Sequence, residues 1–363
     1  MFCLSTKCTK YLLTYKMSSN PELRESTITE GLLTGESTVS PHERISQTCN
    51  TNCDEDPLPS KCDFLRDSGV KSPMLEINNG GEDAKDHEDA DQELVRATKN
   101  LFQKYFFSLF ISMAMGIYCL LHIPSITLVL ESTKRSNTPL KAFQRYFDTL
   151  LHVIKWFESP TSRHSSLKIV RTMHRNAYRR MARHQVQITF SQHDLVLTQW
   201  TLVNGPILFG ESLGFNRMTD YEKLLYLKTI YKVGRDLGIS DEHNLCSGTL
   251  EDTTKYAKDI VNQIFRPALM KDSALAKALL KGIKIFNPLL DPEAFATFTR
   301  NLVLSEQNMP ERFSSRAILW LLKLIFYWLS YRVAVATYLQ AFLNFLLRLN
   351  IRLGMRWKKD ITI

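Results

Sequence analysis

Residues 166–184 read SLKIVRTMHRNAYRRMARH. Advancing about 100° per residue, the step of an α-helix, gathers Val170, Met173, His174, Ala177, Tyr178 and Met181 into one apolar arc with Arg171 at its edge. Lys168, Thr172, Arg175, Asn176, Arg179 and Arg180 fall on the other side. The stretch is therefore an amphipathic helix, and His174 points inward. A lone inward histidine is ordinarily a satisfied core residue. Here Arg171 and Tyr178 stand at i−3 and i+4 on the same face, so a cation and a phenol flank the imidazole and suit a ligand that carries carboxylates.

Outward from this helix, apolar residues recur three and four apart and predict further helices over 139–157, 192–210, 219–237, 251–265, 272–282 and 291–304. Ser191 with Asp194 and Thr219 with Glu222 have the spacing of capping boxes, and Gly238 is placed as a helix stop. The best strand candidate is the short run 185–190. The fold class read from this pattern is all-α. On the helix 139–157, Arg145, Asp148 and Thr149 are spaced i, i+3 and i+4 and share one face. Their neighbours Phe143, Phe147, Leu150, Leu151 and Val153 are apolar, so a buried Arg–Asp pair with a threonine hydroxyl is expected there.

Ahead of these helices lies an apolar run, 101–130, broken by Gln103, Lys104, His122 and Pro124. A span needs about 20 apolar residues, and only 105–121 is free of charge. A buried helix followed by a second element after Pro124 is the favoured reading, a transmembrane helix the other.

Charge divides the 363-residue chain near Leu94. Residues 1–93 hold 9 Lys and Arg against 18 Asp and Glu, a net of −9 in a chain whose net charge is +9. This part shows no apolar period and is read as a disordered acidic tail, dispensable for folding, since it offers little to offset backbone ordering at roughly 1–2 kcal/mol per residue. Residues 94–310 are expected to form one folded helical domain and 311–363 a pair of basic amphipathic helices. In the latter, Trp320, Trp328, Trp357 and many Leu and Phe are interleaved with Arg348, Arg352, Arg356, Lys358 and Lys359. That composition suits a helix lying in a headgroup layer, with docking onto the preceding domain as the alternative.

Five of the seven cysteines fall in the tail, leaving Cys119 and Cys246 in the domain. Two cysteines make no disulfide framework, which favours a reducing compartment. The first residues never reach the apolar stretch of a secretory signal. Gly-x-Gly-x-x-Gly and His-Glu-x-x-His are both missing from the sequence. Lys and Arg are spread over many helices without an aromatic platform, so nucleic acid is not the expected partner.

The order of several short motifs carries a resemblance. Arg145-x-x-Asp148-Thr149 is followed by Val170-Arg171-x-x-His174, then by Ser191-Gln192-x-Asp194-x-x-x-Thr198-Gln199, Gly234-x-x-x-Gly238 and Asn244-Leu245-Cys246. Together they resemble the latex-clearing rubber oxygenases and the ER-bound oxygenases of fungal mycophenolic acid synthesis, over roughly 94–309. The resemblance implies an all-helical domain that binds haem b without covalent attachment and oxidises or cleaves a hydrophobic lipid or isoprenoid with dioxygen. It places His174 as the axial ligand, Arg171 beside it, Arg145 and Thr149 on the distal side, and Glu131 near a distal base. Tyr178 and Arg179 stand where an arginine follows the ligand, and both are assigned to the cofactor. Rubber oxygenases carry a lysine at the position of Asp148, a reversal of charge that opens an alternative: a membrane-associated helical scaffold or lipid-binding protein without the chemistry. The expected location is the cytosolic face of a membrane, the endoplasmic reticulum included.

Overall fold

The structure is a computed structural model that describes residues 84–183, 191–286, 291–331 and 333–361, together with Lys61, Leu65, Asp67 and Lys71. Pro57–Ile363 is one compact unit; the strand candidate 185–190 and most of the expected tail lie outside the described residues. Among the described residues no strand forms, and the domain is all-α.

Helix α1 (Ala84–Lys104) starts inside the acidic run. Its first half lacks Gly and Pro and places Asp and Glu near the helix N-terminus, where the backbone dipole favours them. Its second half turns Leu94, Val95, Thr98, Leu101, Phe102 and Tyr105 into the core. Helix α2 (Phe106–Leu120) is buried along most of its length. Its axis bends by 91° into α3 (Pro124–Ser132), which begins at Pro124. The uncharged run is thus the central core helix.

What α2 packs against is α6 (Gln192–Leu208), which opens on the Ser191/Asp194 capping box. The two backbones approach so closely that a Cβ on Gly116 would sit 2.5 Å from Thr201 Cβ. Ser112 Oγ donates to Asn204 Oδ1 at 3.1 Å and accepts from the Gly205 amide at 3.0 Å, so the crossing is hydrogen-bonded as well as packed.

Around this pair lie α4 (Pro139–Trp156), α5 (Pro160–Arg183) and α7 (Asp220–Asp236), the last starting at the Thr219/Glu222 box. Gly238, at φ 101, ends α7 as a left-handed stop. Helix α8 (Leu250–Ile260) has a third capping box, Thr249/Asp252, and runs through a π-helical turn, Val261–Phe265, into the short α9 (Arg266–Leu269). Helices α10 (Ala274–Phe286) and α11 (Pro292–Leu304) complete the bundle, α10 lying along α4.

The C-terminal α12 (Phe313–Tyr331) and α13 (Val333–Ile361) pack on each other and on the bundle. Asn344 donates to the carbonyls of Gln103 and Lys104 and accepts from the Phe107 amide at 2.8 Å. Phe326 is fully buried between Phe107 and Phe298. Their opposite face leaves Trp320, Leu324, Tyr338, Phe342, Phe345 and Leu353 exposed, Tyr338 at 81%. Both readings of the tail therefore have a surface: it docks by one side and presents apolar rings on the other.

Leu65, in the middle of the expected tail, is 0% exposed and belongs to the core cluster. Lys61 Nζ lies 2.7 Å from Ser247 Oγ and 5.4 Å from the centre of the Tyr256 ring.

Candidate active site

Helix α3 ends at Ser132, and Lys134 then takes a left-handed conformation, φ 54. This turn sets Thr133 and Ser136 opposite α4, which starts at Pro139 behind the Thr138 cap. Arg145, one side of α4, donates from Nη1 to Thr133 Oγ1 at 2.7 Å and, at 3.4 Å each, to Ser136 Oγ and the Leu130 carbonyl. All three acceptors are neutral. Arg145 forms no ion pair among the described residues, and burial, helped by the charge of Arg135, lowers its pKa. A largely buried guanidinium with no counter-charge is costly.

His174, on α5, lies near enough for the charge of Arg145 to act on it. Its Nδ1 is shut off from solvent, and burial first, then the charge of Arg145, pulls its pKa down to about 4. The imidazole is thereby held neutral, the form in which histidine binds metals. Next to Arg145 is Tyr146, whose hydroxyl is shut off from solvent beside Ser136; burial raises its pKa, while the Ser136 hydroxyl and the charge of Arg145 oppose that.

The expected Arg145–Asp148 pair is not formed. Asp148 lies 3.7 Å from Arg135, whose Nη1 also reaches Met173 Sδ at 3.9 Å. Arg135 thus bridges α4 and α5 beside His174. Thr149 is exposed, and its hydroxyl returns to the Arg145 carbonyl at 3.2 Å, a back-bond within the helix. Arg171 donates from Nε to the Asp236 carbonyl at 2.7 Å and from Nη2 to the same oxygen, which fixes α5 to the C-terminus of α7. Tyr178 is half-buried, and Arg179 and Glu131 are exposed. The structure therefore brings His174 and Arg145 together and leaves Thr149, Arg179 and Glu131 at the surface. Met173, inside the expected apolar arc, is 37% exposed.

Thr133, Ser136, Arg135 and Tyr146 were not among the expected site residues. Their signal was the Ser- and Thr-rich stretch 132–138 between two prolines, but its use depends on the left-handed turn at Lys134.

The remaining motifs hold the scaffold. Asp194 is buried and accepts from Ser125 Oγ at 2.6 Å, tying α6 to the start of α3. Gln192 donates to the Gly238 carbonyl and accepts from the Ser240 amide. Gln199 donates to Asn244 Oδ1 at 2.8 Å and accepts from the Leu245 amide. A Cβ on Gly234 would lie 2.6 Å from Gln199 Nε2, so only glycine leaves room for this network.

Among the described residues no three His, Cys, Asp or Glu side chains gather to hold an ion. His174 is a single-imidazole donor, so a metal bound through it would bring its other donors with it. No curated protein and no solved structure matches the chain. Residues 103–349, from the end of α1 well into α13, match the family described as ER-bound oxygenase mpaB/B'/Rubber oxygenase, catalytic domain. The chain belongs to that family, and its enzyme class is that of an oxygenase, an oxidoreductase.

Proposed function

We propose that the domain is a haem-dependent oxygenase in which His174 is the axial ligand of a non-covalently held haem b, acting with dioxygen on a hydrophobic lipid or isoprenoid substrate. The observation that carries this reading is the His174 imidazole, its Nδ1 shut off from solvent, together with the half-buried Arg145 guanidinium that neutral oxygens hold. The donor set fits: a macrocycle supplies the equatorial nitrogens that the protein does not, leaving one imidazole to the chain. When bound, haem supplies the iron that activates dioxygen. Arg145 would set the polarity beside the cofactor, with Asp148 and Thr149 next to it on α4. Arg171, anchored on α7, with Tyr178 and Arg179 two turns further along α5, would pair with the carboxylates of the cofactor. Glu131, just beyond the carbonyl that holds Arg145, accepts a proton at the pocket edge.

The same reading puts the enzyme on the cytosolic face of a membrane such as the endoplasmic reticulum, held by the exposed rings of α12 and α13. An apolar substrate partitions into that membrane, and its binding is mostly burial of methylenes at about 0.8 kcal/mol each. The test is the Soret band and iron content of protein expressed with ample haem. Wild type should be loaded and His174→Ala should lose haem or change its axial ligation; a wild type without haem would favour the scaffold reading.

A further inference from the structure

Taken singly, α13 is the helix among the described residues that is long and apolar enough to cross a membrane, over Ala334–Arg356. Its contacts oppose a crossing. Ala336, Leu343, Asn344 and Ile351 are buried and form a seam along that stretch, and Asn344 is bonded to the Gln103 and Lys104 carbonyls and the Phe107 amide. To span, α13 would have to carry this side of the bundle into lipid or leave it and break those bonds. Its other side bears Val335, Tyr338, Phe342, Phe345, Leu349 and Leu353, all exposed and spaced three and four apart, so they form one stripe. Trp320, Leu324 and Tyr327 repeat that spacing on α12.

Charge decides what covers the stripe. From Phe313 to Lys359 the chain holds eight Lys and Arg and no Asp or Glu. A second copy seated there would set cations against cations, where paired helices need opposite charges along the seam. A layer of anionic headgroups needs the cations alone. Arg348, Arg352 and Arg356 are exposed and stand four residues apart, in a row beside the stripe; Arg348 also lies over the Phe106 ring, 5.5 Å from its centre.

We infer that α13 lies in the plane of the membrane as a seat and does not cross it, and that its arginine row makes the seat selective for anionic lipid. The inference rests on the membrane reading above and names the lipid. Burial of the rings is indifferent to headgroup charge and holds the protein on any bilayer, whereas the arginines add attraction only where the headgroups are negative.

The probes are vesicles of phosphatidylcholine alone and of phosphatidylcholine mixed with phosphatidylserine. The full chain should bind the mixed vesicles on the order of tenfold more tightly. Arg352→Gln with Arg356→Gln should lose most of that preference, with affinity for the neutral vesicles and the melting temperature unchanged. In microsomes from cells expressing the full chain, protease added outside should remove a C-terminal epitope tag. Equal affinity of wild type for the two lipids, or an unchanged preference in the double variant, overturns the role of the arginines, and a protected tag on a digested bundle overturns the in-plane seat; in each case the membrane reading stands. A wild-type dimer in sedimentation velocity that Phe342→Ser with Phe345→Ser takes to monomer gives the stripe to a second copy and overturns the inference. A wild type that binds neither vesicle overturns the membrane reading, and this inference with it.

Discussion

At His174 burial and the neighbouring charge of Arg145 push the same way, and both oppose protonation. A histidine with an ordinary pKa near 6.5 in the unfolded chain and about 4 in the folded one costs nothing above pH 6.5, where both states are neutral. As pH falls below 6.5 the unfolded chain takes the proton first and folding loses stability, until about pH 4, where both are charged. The full loss is on the order of 3 kcal/mol and that between pH 7 and 5 about 2 kcal/mol. Urea denaturation of apo wild type and His174→Gln at the two pH values isolates it, since the other titrating groups are common to both. The stability difference between the proteins should shift by about that amount toward the variant at pH 5; a difference that ignores pH would mean the imidazole is not held neutral. The inward direction of His174 was legible because it follows from helix geometry alone. The partners of Arg145 were not, since Thr133 and Ser136 reach it only through the backbone turn at Lys134. Asp148 misled for the same reason: helix spacing put it beside Arg145, while Arg135, outside the helix, claimed it.

At the scale of elements, periodicity located the helices wherever one face is apolar and the other polar, as in α4, α5 and α7. It was silent where that contrast fails. Helix α2 is buried nearly all round, so its sequence resembles a span, and it is its packing against α6 that places it in the core. The first half of α1 fails in the opposite sense, being polar all round and helical through propensity and the packing of its second half. Helix α13 shows how one element serves two surfaces. Asn344 ties its inner side to α1 and α2, while Phe342 and Phe345 are exposed at 56% and 62%. Each such ring buried in a headgroup layer contributes about 1.5–3 kcal/mol, more than the roughly 1 kcal/mol per basic residue that salt can screen. Replacing Phe342 and Phe345 together by Ser should therefore cut binding to anionic vesicles by at least about tenfold, with the melting temperature unchanged because neither ring is in the core. Salt alone should release little wild type. Cosedimentation decides it, and unchanged binding by the double variant would move the anchor elsewhere.

Over the whole molecule, charge drew the domain boundary near Leu94, yet the compact unit begins at Pro57. Composition averages over a segment, whereas a core accepts single residues, and Leu65 is such a residue among acidic neighbours. Lys61 adds a hydrogen bond to Ser247 and a ring contact with Tyr256, on the loop and helix that follow the Asn244 network. Lys61 and Leu65 thus touch the bundle, and beside the expectation that residues 1–93 are dispensable for folding stands a narrower one to test. A chain beginning at Pro57 should match the full chain in guanidinium melts. A chain beginning at Leu94 lacks Leu65 and the first turns of α1, and it should be less stable by several kcal/mol. Leu65→Ala in the full chain separates the two losses: a buried leucine cut to alanine costs about 2–5 kcal/mol, whereas a leucine in a solvated tail costs nothing. If Leu65→Ala and the Leu94 truncation both melt with wild type, the contact seen at Leu65 does not contribute to the folded state, and the boundary returns to where charge alone would draw it.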